Sequence, residues 1–527
     1  MLQQYNKLPQ REAEEETQNQ DNGLLQSEQT LPSFSGSPNS QGTLKLPDMA
    51  PPAYEPDVFK QSSWDTTSSQ NLESTQFEDF DIDDPLDDSE EGTSSMKMAF
   101  MNMANSILGA GIIGQPFAMR NSGLLGGILV MILLTFLIDW TLRLIVINAQ
   151  MSQTRSYQDT VHYCYGKVGK ALLLLTISSF AYGGCMAFCV IIGDTIPHVL
   201  KLFLPDAAYA KGTILGWFLQ RNVIITIFTT CISYPLSLNR DISKLAKASG
   251  FALFGMTIIV LITLFRGPFV DKSLKAPLEA SEWLINKNIF QGISVISFAL
   301  VCHHNTLFIF NSMRNATVER FSKLTHFACG ISMCFCLLMG IPGLLNFGHI
   351  VKGNILNNFK ANDFWINIAR FCFGLNMLTT FPLEVFVVRD VLKDIVAAFS
   401  HSGSNSESTS AELTQKQHFS ITTILVFSSM SVSLFTCNLG MILELIGATS
   451  ASLMAYIIPP LCYLKLSWEK VGYKSASDEE RKAFLWKKAI PSILCVVFGF
   501  TVMIVSSYMT IKTSLANNNS DNHCVDD

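Results

Sequence analysis

Charge is what this chain has little of. Of its 527 residues only 15% are Asp, Glu, Lys or Arg, while 48% are hydrophobic; a soluble domain carries about 25% charged residues. The deficit excludes an ordinary soluble enzyme and reads as an all-α polytopic membrane protein. The chain also lacks a basic stripe, so no nucleic-acid surface is indicated. The net charge of −6 adds nothing, because much of the acid lies in the N-terminal tail. The thirteen cysteines form no CxxC and no Cys/His metal spacing. Most, such as Cys185, Cys189, Cys231, Cys302, Cys334 and Cys495, fall in apolar stretches where cysteine is a small packing residue. The three long non-cytoplasmic loops hold none, so no structural disulfide is expected there. The start has no basic segment followed by an apolar run, so no cleaved signal peptide is expected. No nucleophile–base set can be assembled, which excludes an enzyme.

Residues 1–96 have almost no apolar periodicity and are rich in Gln, Glu, Ser, Asn, Asp and Pro. Such a segment cannot offset its ordering entropy and reads as a disordered cytoplasmic tail. Beyond it, segments of roughly 20 apolar residues read as transmembrane spans. Eleven are placed at 98–119, 124–148, 170–197, 222–238, 246–265, 289–311, 324–346, 363–388, 419–437, 440–464 and 488–511. Lys and Arg in the connecting loops number 19 on one side and 11 on the other. The positive-inside rule then sets the N-terminus in the cytoplasm and the tail 512–527 outside or in a lumen.

The first span is the most informative. Met101-Asn-Met-Ala-Asn105-Ser-Ile-Leu-Gly109-Ala-Gly111-Ile-Ile-Gly114-Gln-Pro116 puts three glycines and a proline where a plain membrane helix would carry Leu and Val. A helix broken in mid-membrane leaves bare backbone groups, tolerated only where they line a cavity or bind something. Five spans later Ser297-Phe-Ala-Leu-Val-Cys302-His303-His304-Asn305-Thr306 interrupts span 6 at the same relative place. Five spans per repeat is odd, so the second repeat enters from the other side. Paired broken helices in inverted repeats point to a transporter site. Half-helix N-termini favour a carboxylate, and exposed carbonyls suit an ammonium group or a cation. Gly109, Gly111 and Gly114 also suit close helix packing; Pro116 and the matching interruption favour the functional reading.

Asn105-Ser-Ile-Leu-Gly-Ala-Gly-Ile-Ile-Gly-Gln-Pro-Phe-Ala-Met119 resembles the first-span signature of the amino acid/auxin permease family. The branch it is most similar to contains sodium-coupled neutral amino acid transporters and fungal vacuolar amino acid transporters. Leu378-Thr379-Thr380-Phe381-Pro382-Leu-Glu384-Val-Phe-Val-Val-Arg389 and Ile446-Gly-Ala-Thr-Ser450-Ala-Ser452 with Pro459-Pro460 agree. The resemblance covers about residues 95–511. It implies eleven transmembrane helices in a LeuT-type 5+5 inverted repeat plus one helix. The first repeat would be 97–265, the second 266–464, and 465–511 a cytoplasmic loop with span 11. It also implies transport of small neutral amino acids driven by sodium or protons.

The candidate substrate residues are Ile107, Leu108, Gly109, Ala110, Gly111, Cys302 and His303, largely through backbone that cannot see the side chain. Asn105 and Thr380 match positions that ligate a cation in sodium-coupled relatives, with Thr379 beside them; no other metal is expected. Hard cations want oxygen ligands, but Asn and Thr also bond across helices. His303 and His304 are the histidines of mid-membrane, suited to proton transfer or to a neutral contact with a carbonyl. Glu444 is a candidate gate and ion-coupling group. Asp139 and Arg143, four apart, read as a structural pair. Glu384 lies close to Arg389, and Arg370 has no evident partner. The interruptions hold no acid or base besides the histidines, so a neutral substrate is expected.

Pro51-Pro52-Ala53-Tyr54 is a PPxY motif suited to the groove of a WW domain, such as that of a ubiquitin ligase, with Lys45 and Lys60 as nearby acceptors. The acidic run 78–91 reads as a solvated block or a sorting patch. Asn518-Asn-Ser520 and Asn315-Ala-Thr317 are glycosylation sequons, the second on the cytoplasmic side. The expected function is secondary active transport of neutral amino acids by alternating access, in a vacuolar or other endomembrane, or else the plasma membrane. An amino-acid sensor signalling through the tail, or a channel, is the alternative.

Overall fold

The first span is not one helix. Helix α1 (Met96–Ile107) is capped by Ser95, whose hydroxyl accepts from the Met98 N–H at 3.4 Å. It stops at Leu108, and the chain passes through Gly109 into a 3-10 turn, Ala110–Gly114. Helix α2 (Gln115–Ser122) follows, with Pro116 in its first turn, where a missing N–H costs no hydrogen bond. Gly123 then reverses the chain at φ +79°; a Cβ there would stand 2.5 Å from the Leu284 carbonyl oxygen, so only glycine fits. These coordinates are a computed structural model, which describes residues 92, 94–205, 208, 210, 212–240, 249–400, 413–471 and 477–517. The PPAY motif with Pro51, Pro52 and Tyr54, the acidic run and the Asn518 sequon lie outside the described residues.

The elements that follow are α3 (Leu124–Met151), α4 (Tyr157–Lys201), α5 (Arg221–Phe228), α6 (Ser249–Arg266), α7 (Ile289–Leu300), α8 (Thr306–Ser312) and α9 (Val318–Phe347). Then come α10 (Phe364–Ser400), α11 (Gln415–Phe435), α12 (Leu439–Ile446), α13 (Ile458–Val471) and α14 (Ile490–Asn517). Among the described residues nine helical stretches are long and apolar enough to cross a membrane. Expected spans 1 and 4 are not among them, because their unbroken helical stretches are short. Span 4 is α5, a π-turn at Thr229–Ser233 and a last turn Tyr234–Ser237, which has Pro235 as its second residue. Span 10 joins α12 to α13 through two π-turns, Gly447–Ala451 and Leu453–Ile457. Asn438 caps α12 by accepting from the Met441 N–H at 3.1 Å, which fixes the break between expected spans 9 and 10.

Two faces can be told apart by what pairs there. On the first, the Ser94 N–H donates to the Ser312 carbonyl at 2.9 Å and the Arg314 N–H donates to the Ser94 carbonyl at 3.0 Å. This is the tail face, where α1 enters and α8 leaves. At the opposite face Arg120, at the end of α2, donates to the carbonyls of Val351 at 2.7 Å and His349 at 3.3 Å. The interior holds α2 and α7 against each other, with α3, α9, α12 and α14 around them, while α4 lies along α10. The surface is apolar where helices face outward: Phe136 is 69% exposed and Ile504 64%. Polar side chains such as Gln115, Ser297 and His303 are fully buried within an otherwise apolar core, so surface and interior are both apolar. Eleven described cysteines are free, and Cys437, in the short turn before α12, is disulfide-bonded.

Candidate functional site

Span 6 breaks as span 1 does. Helix α7 ends at Leu300, residues 301–302 are extended or irregular, and His303–Asn305 form a 3-10 turn before α8. The two interruptions meet. A Cβ on Gly111 would stand 2.5 Å from both Cα and Cβ of Ala299, so the first break can lie on α7 only because residue 111 has no side chain. The Asn305 side-chain amide donates to the Ser106 hydroxyl at 2.9 Å, which ties the end of α1 to the second break. The Gln115 amide turns back to donate to the Gly111 carbonyl at 2.8 Å, covering a backbone acceptor that the break releases.

Open space lies at Gly109. A Cβ built there meets nothing within 4 Å. Near it in the two breaks Asn105, Ser106, His304 and Asn305 are only half-buried, and so are Thr379 and Thr380 of α10, although all sit in the middle of their spans. Ile107, Leu108, Ala110 and Gly111 are buried, and the Leu108 N–H still donates to the Ala104 carbonyl at 2.8 Å. Cys302 is buried in the second break, where its carbonyl accepts from the Asn305 N–H at 3.0 Å.

The histidines separate. His303 is fully buried with its Nε2 2.9 Å from the Thr141 hydroxyl on α3, while its Nδ1 is buried without a partner. His304 is half-buried, and its ring lies 5.5 Å from that of Phe180 on α4. Asn105 makes no side-chain hydrogen bond among the described residues. The Thr380 hydroxyl donates to the Asn376 carbonyl at 2.8 Å, and Thr379 donates to the same carbonyl at 2.9 Å, so both are turned onto their own helix. The Asp139–Arg143 pair is present at 3.1 Å, with His326 Nδ1 3.0 Å from the other carboxylate oxygen.

Glu444 is 3% exposed and gathers four elements. Its Oε1 accepts from the Asn121 amide of α2 at 2.9 Å. Its Oε2 accepts from Gln291 of α7 at 3.0 Å and from Thr510 of α14 at 2.9 Å. A second clamp on the same face is Asp194 of α4. It faces Arg221 at 3.4 Å and accepts from the amides of Asn354 at 3.3 Å and Asn357 at 2.9 Å. Arg120 and Asp194 thus both hold the segment between α9 and α10.

Two sequence expectations are corrected. Arg370 has many partners: the Asn367 Oδ1 at 2.8 Å and the carbonyls of Leu356, Phe359, Lys360 and Ala361. Arg389 is not turned to Glu384; it donates to the Ser237 carbonyl at 2.9 Å and to the Thr422 hydroxyl at 3.1 Å. Helix α10 carries the two residues five apart, half a turn beyond a facing position. Sequence reasoning missed Ser106, Gln115, Asn121, Gln291, Asn305 and Thr510. Ser106 and Gln115 stand inside the quoted first-span motif and Asn305 inside the quoted span 6 interruption; Gln291 and Thr510 are isolated polar residues in apolar runs, and Asn121 follows Arg120 just past the end of span 1.

The description "Transmembrane amino acid transporter protein" belongs to a family that matches residues 92–512. This chain is a member of that family. Vacuolar amino acid transporter 2 of Saccharomyces cerevisiae is 49% identical to this transporter over 458 residues, covering 87% of this chain and 91% of its own. Putative sodium-coupled neutral amino acid transporter 11 of Danio rerio is 33% identical over 380 residues, covering 72% of this chain and 81% of its own. Among solved structures, MhsT in complex with L-phenylalanine matches with a TM-score of 0.49 at 12% identity, over 79% of this chain and 100% of that one. Membership of that family and the membrane-length helices make this amino acid transporter a multi-pass membrane protein, and both breaks lie within the matched region.

Proposed function

We propose that this protein is a secondary active transporter that carries small neutral amino acids across the vacuolar membrane by alternating access, coupled to protons or sodium. The observation that carries the reading is the pair of crossed helix breaks with open space at Gly109. Backbone N–H groups from 109–111 would take the substrate carboxylate and carbonyls of the second break its ammonium group. Neither contact senses the side chain. No carboxylate or guanidinium stands in the breaks, which supports a neutral side chain, because an unpaired buried charge is costly.

Spans 1–5 and 6–10 would be the inverted repeats, with span 11 outside them and the N-terminus in the cytoplasm. In that orientation the contacts of Glu444, Arg120 and Asp194 close the lumenal side. Asn105 has a free amide oxygen for a cation. Thr379, Thr380 and His304 would complete that site once the threonine hydroxyls leave their carbonyls. A vacuolar location is supported by the yeast relative's name and a neutral substrate by the zebrafish relative's. A WW-domain ubiquitin ligase would use Pro51, Pro52 and Tyr54. The test is uptake of radiolabelled amino acids into proteoliposomes under an imposed proton or sodium gradient. Accumulation of neutral amino acids under one gradient is expected; accumulation under neither, with no exchange, would overturn the reading.

A further inference from the structure

Helix α10 carries a polar stripe that the substrate site does not use. Asn376, Thr380 and Glu384 follow at spacings of four, so they share one face, and Thr380 donates to the Asn376 Oδ1 at 3.2 Å. Glu384 is the last of the three, one turn nearer the tail face. Its Oε2 is buried and has no hydrogen-bond partner, and among the described residues it makes no ion pair. The residue as a whole is only half-buried, so the slot has an opening.

The Glu384 side chain packs beside Gly184 of α4, in ordinary contact range of that position. A Cβ on Gly184 would stand 3.7 Å from Glu384 Cγ and 3.9 Å from its Cδ. The ionisable groups of the packed elements can be taken one by one. From α4 the buried Cys185 thiol is the group that faces it. From α6, residues 252–265 include no ionisable side chain, and Arg266 pairs with Asp363 at the opposite face at 2.7 Å. From the π-turn segment Cys231 is exposed, and the Tyr234 hydroxyl lies 2.9 Å from that of Thr423. From α11, His418 stands beside Arg389, whose guanidinium is held by Ser237 and Thr422. Among the described residues no cation pairs with Glu384.

An ionised carboxylate without partner or water is strongly unfavourable, so a closed slot favours the acid and a wetted slot the anion. From α4 a glycine and a thiol supply no oxygen ligand, and the Thr380 hydroxyl one turn away is turned onto Asn376, which disfavours sodium at Glu384. A proton needs no such cage. We propose that Glu384 is the proton carrier of this transporter, which rests on the transport reading above. Water on one side gives up a proton, an O–H bond forms on the carboxylate, and the charge goes from minus one to zero. When the slot opens to the other side, that O–H bond breaks and the proton leaves to water. One proton moves per conformational cycle.

The full-length protein in proteoliposomes tests this, with whichever of radiolabelled L-alanine, L-leucine and L-glutamine the wild type carries. Two arms are needed: accumulation driven by a pH gradient, and exchange at equal pH on both sides. Glu384→Gln is expected to lose pH-driven accumulation, down to the level that exchange alone gives, while exchange persists. Glu384→Asp is expected to restore the pH response. Accumulation by Glu384→Gln that still follows the pH gradient overturns the proposal. So does a wild type driven by sodium alone, or a variant that loses exchange as well and is not rescued by Asp. Absence of wild-type exchange sinks the transport reading itself, and this proposal with it.

Discussion

Gly109 and Gly111 stand two residues apart and meet different surroundings. At Gly109 a side chain would enter open space, whereas at Gly111 even a methyl group would collide with Ala299. Gly109→Leu is therefore expected to leave the thermal stability of the purified protein close to wild type and to abolish uptake, because the side chain fills the proposed substrate space. Gly111→Ala is expected to destabilise by about 1–3 kcal/mol, the usual cost of overpacking. A thermal shift assay beside an uptake assay separates the two, and full uptake by Gly109→Leu would reject the site. The glycine-rich break was legible in the sequence, because Gly and Pro in mid-span have few uses. Which glycine faces room was not, since that depends on where α7 lies. The partner of Arg389 was likewise hidden: Ser237 and Thr422 sit in other spans, and sequence proximity pointed to Glu384.

At the scale of elements, the same close approach recurs where span 10 crosses α7. A Cβ on Gly447 would overlap the Ser294 carbonyl oxygen, so the π-turn at Gly447–Ala451 packs on α7 backbone to backbone. Around that contact the Ser294 hydroxyl donates to Ser506 at 2.7 Å, and Ser297 lies 2.8 Å from the Tyr456 hydroxyl. Backbone cannot rotate away as a side chain can, so Gly447→Val should separate the two elements. The expected result is a large loss of folded protein, read as a lower yield of monodisperse material in detergent. A wild-type yield and melting temperature would show that α7 can shift without cost. The sequence marked this motif as small residues before Pro459 and Pro460, but not that it forms π-turns. Span 4 was expected to be short; its π-turn has no composition signature beyond Pro235. The long helices were legible because apolar length alone decides them.

Among the described residues one face of the whole molecule is bridged by contacts between separate elements, and in the proposed transport cycle these set which compartment the site meets. Asp194 binds Arg221, Asn354 and Asn357 while nearly buried. The segment it holds has its own internal support: the Asn358 side chain accepts from the Lys352 N–H at 2.9 Å, and Arg370 gathers four carbonyls below it. Loss of Asp194 should undock that segment without unfolding it. A hydrogen bond to a charged group contributes about 1.5–3 kcal/mol, and two amides donate here. That is enough to move a two-state gate from mostly closed to substantially open. Asp194→Ala is expected to speed amide hydrogen exchange across 350–358 while α7 and α2 exchange as in the wild type. Arg221 retains the carbonyls of Ser433 and Thr436, both at 3.2 Å, so its charge is not stranded. Unchanged exchange in 350–358 would place the closure elsewhere, at Glu444 or Arg120. Faster exchange through α7 as well would mean that Asp194 supports the fold rather than the gate.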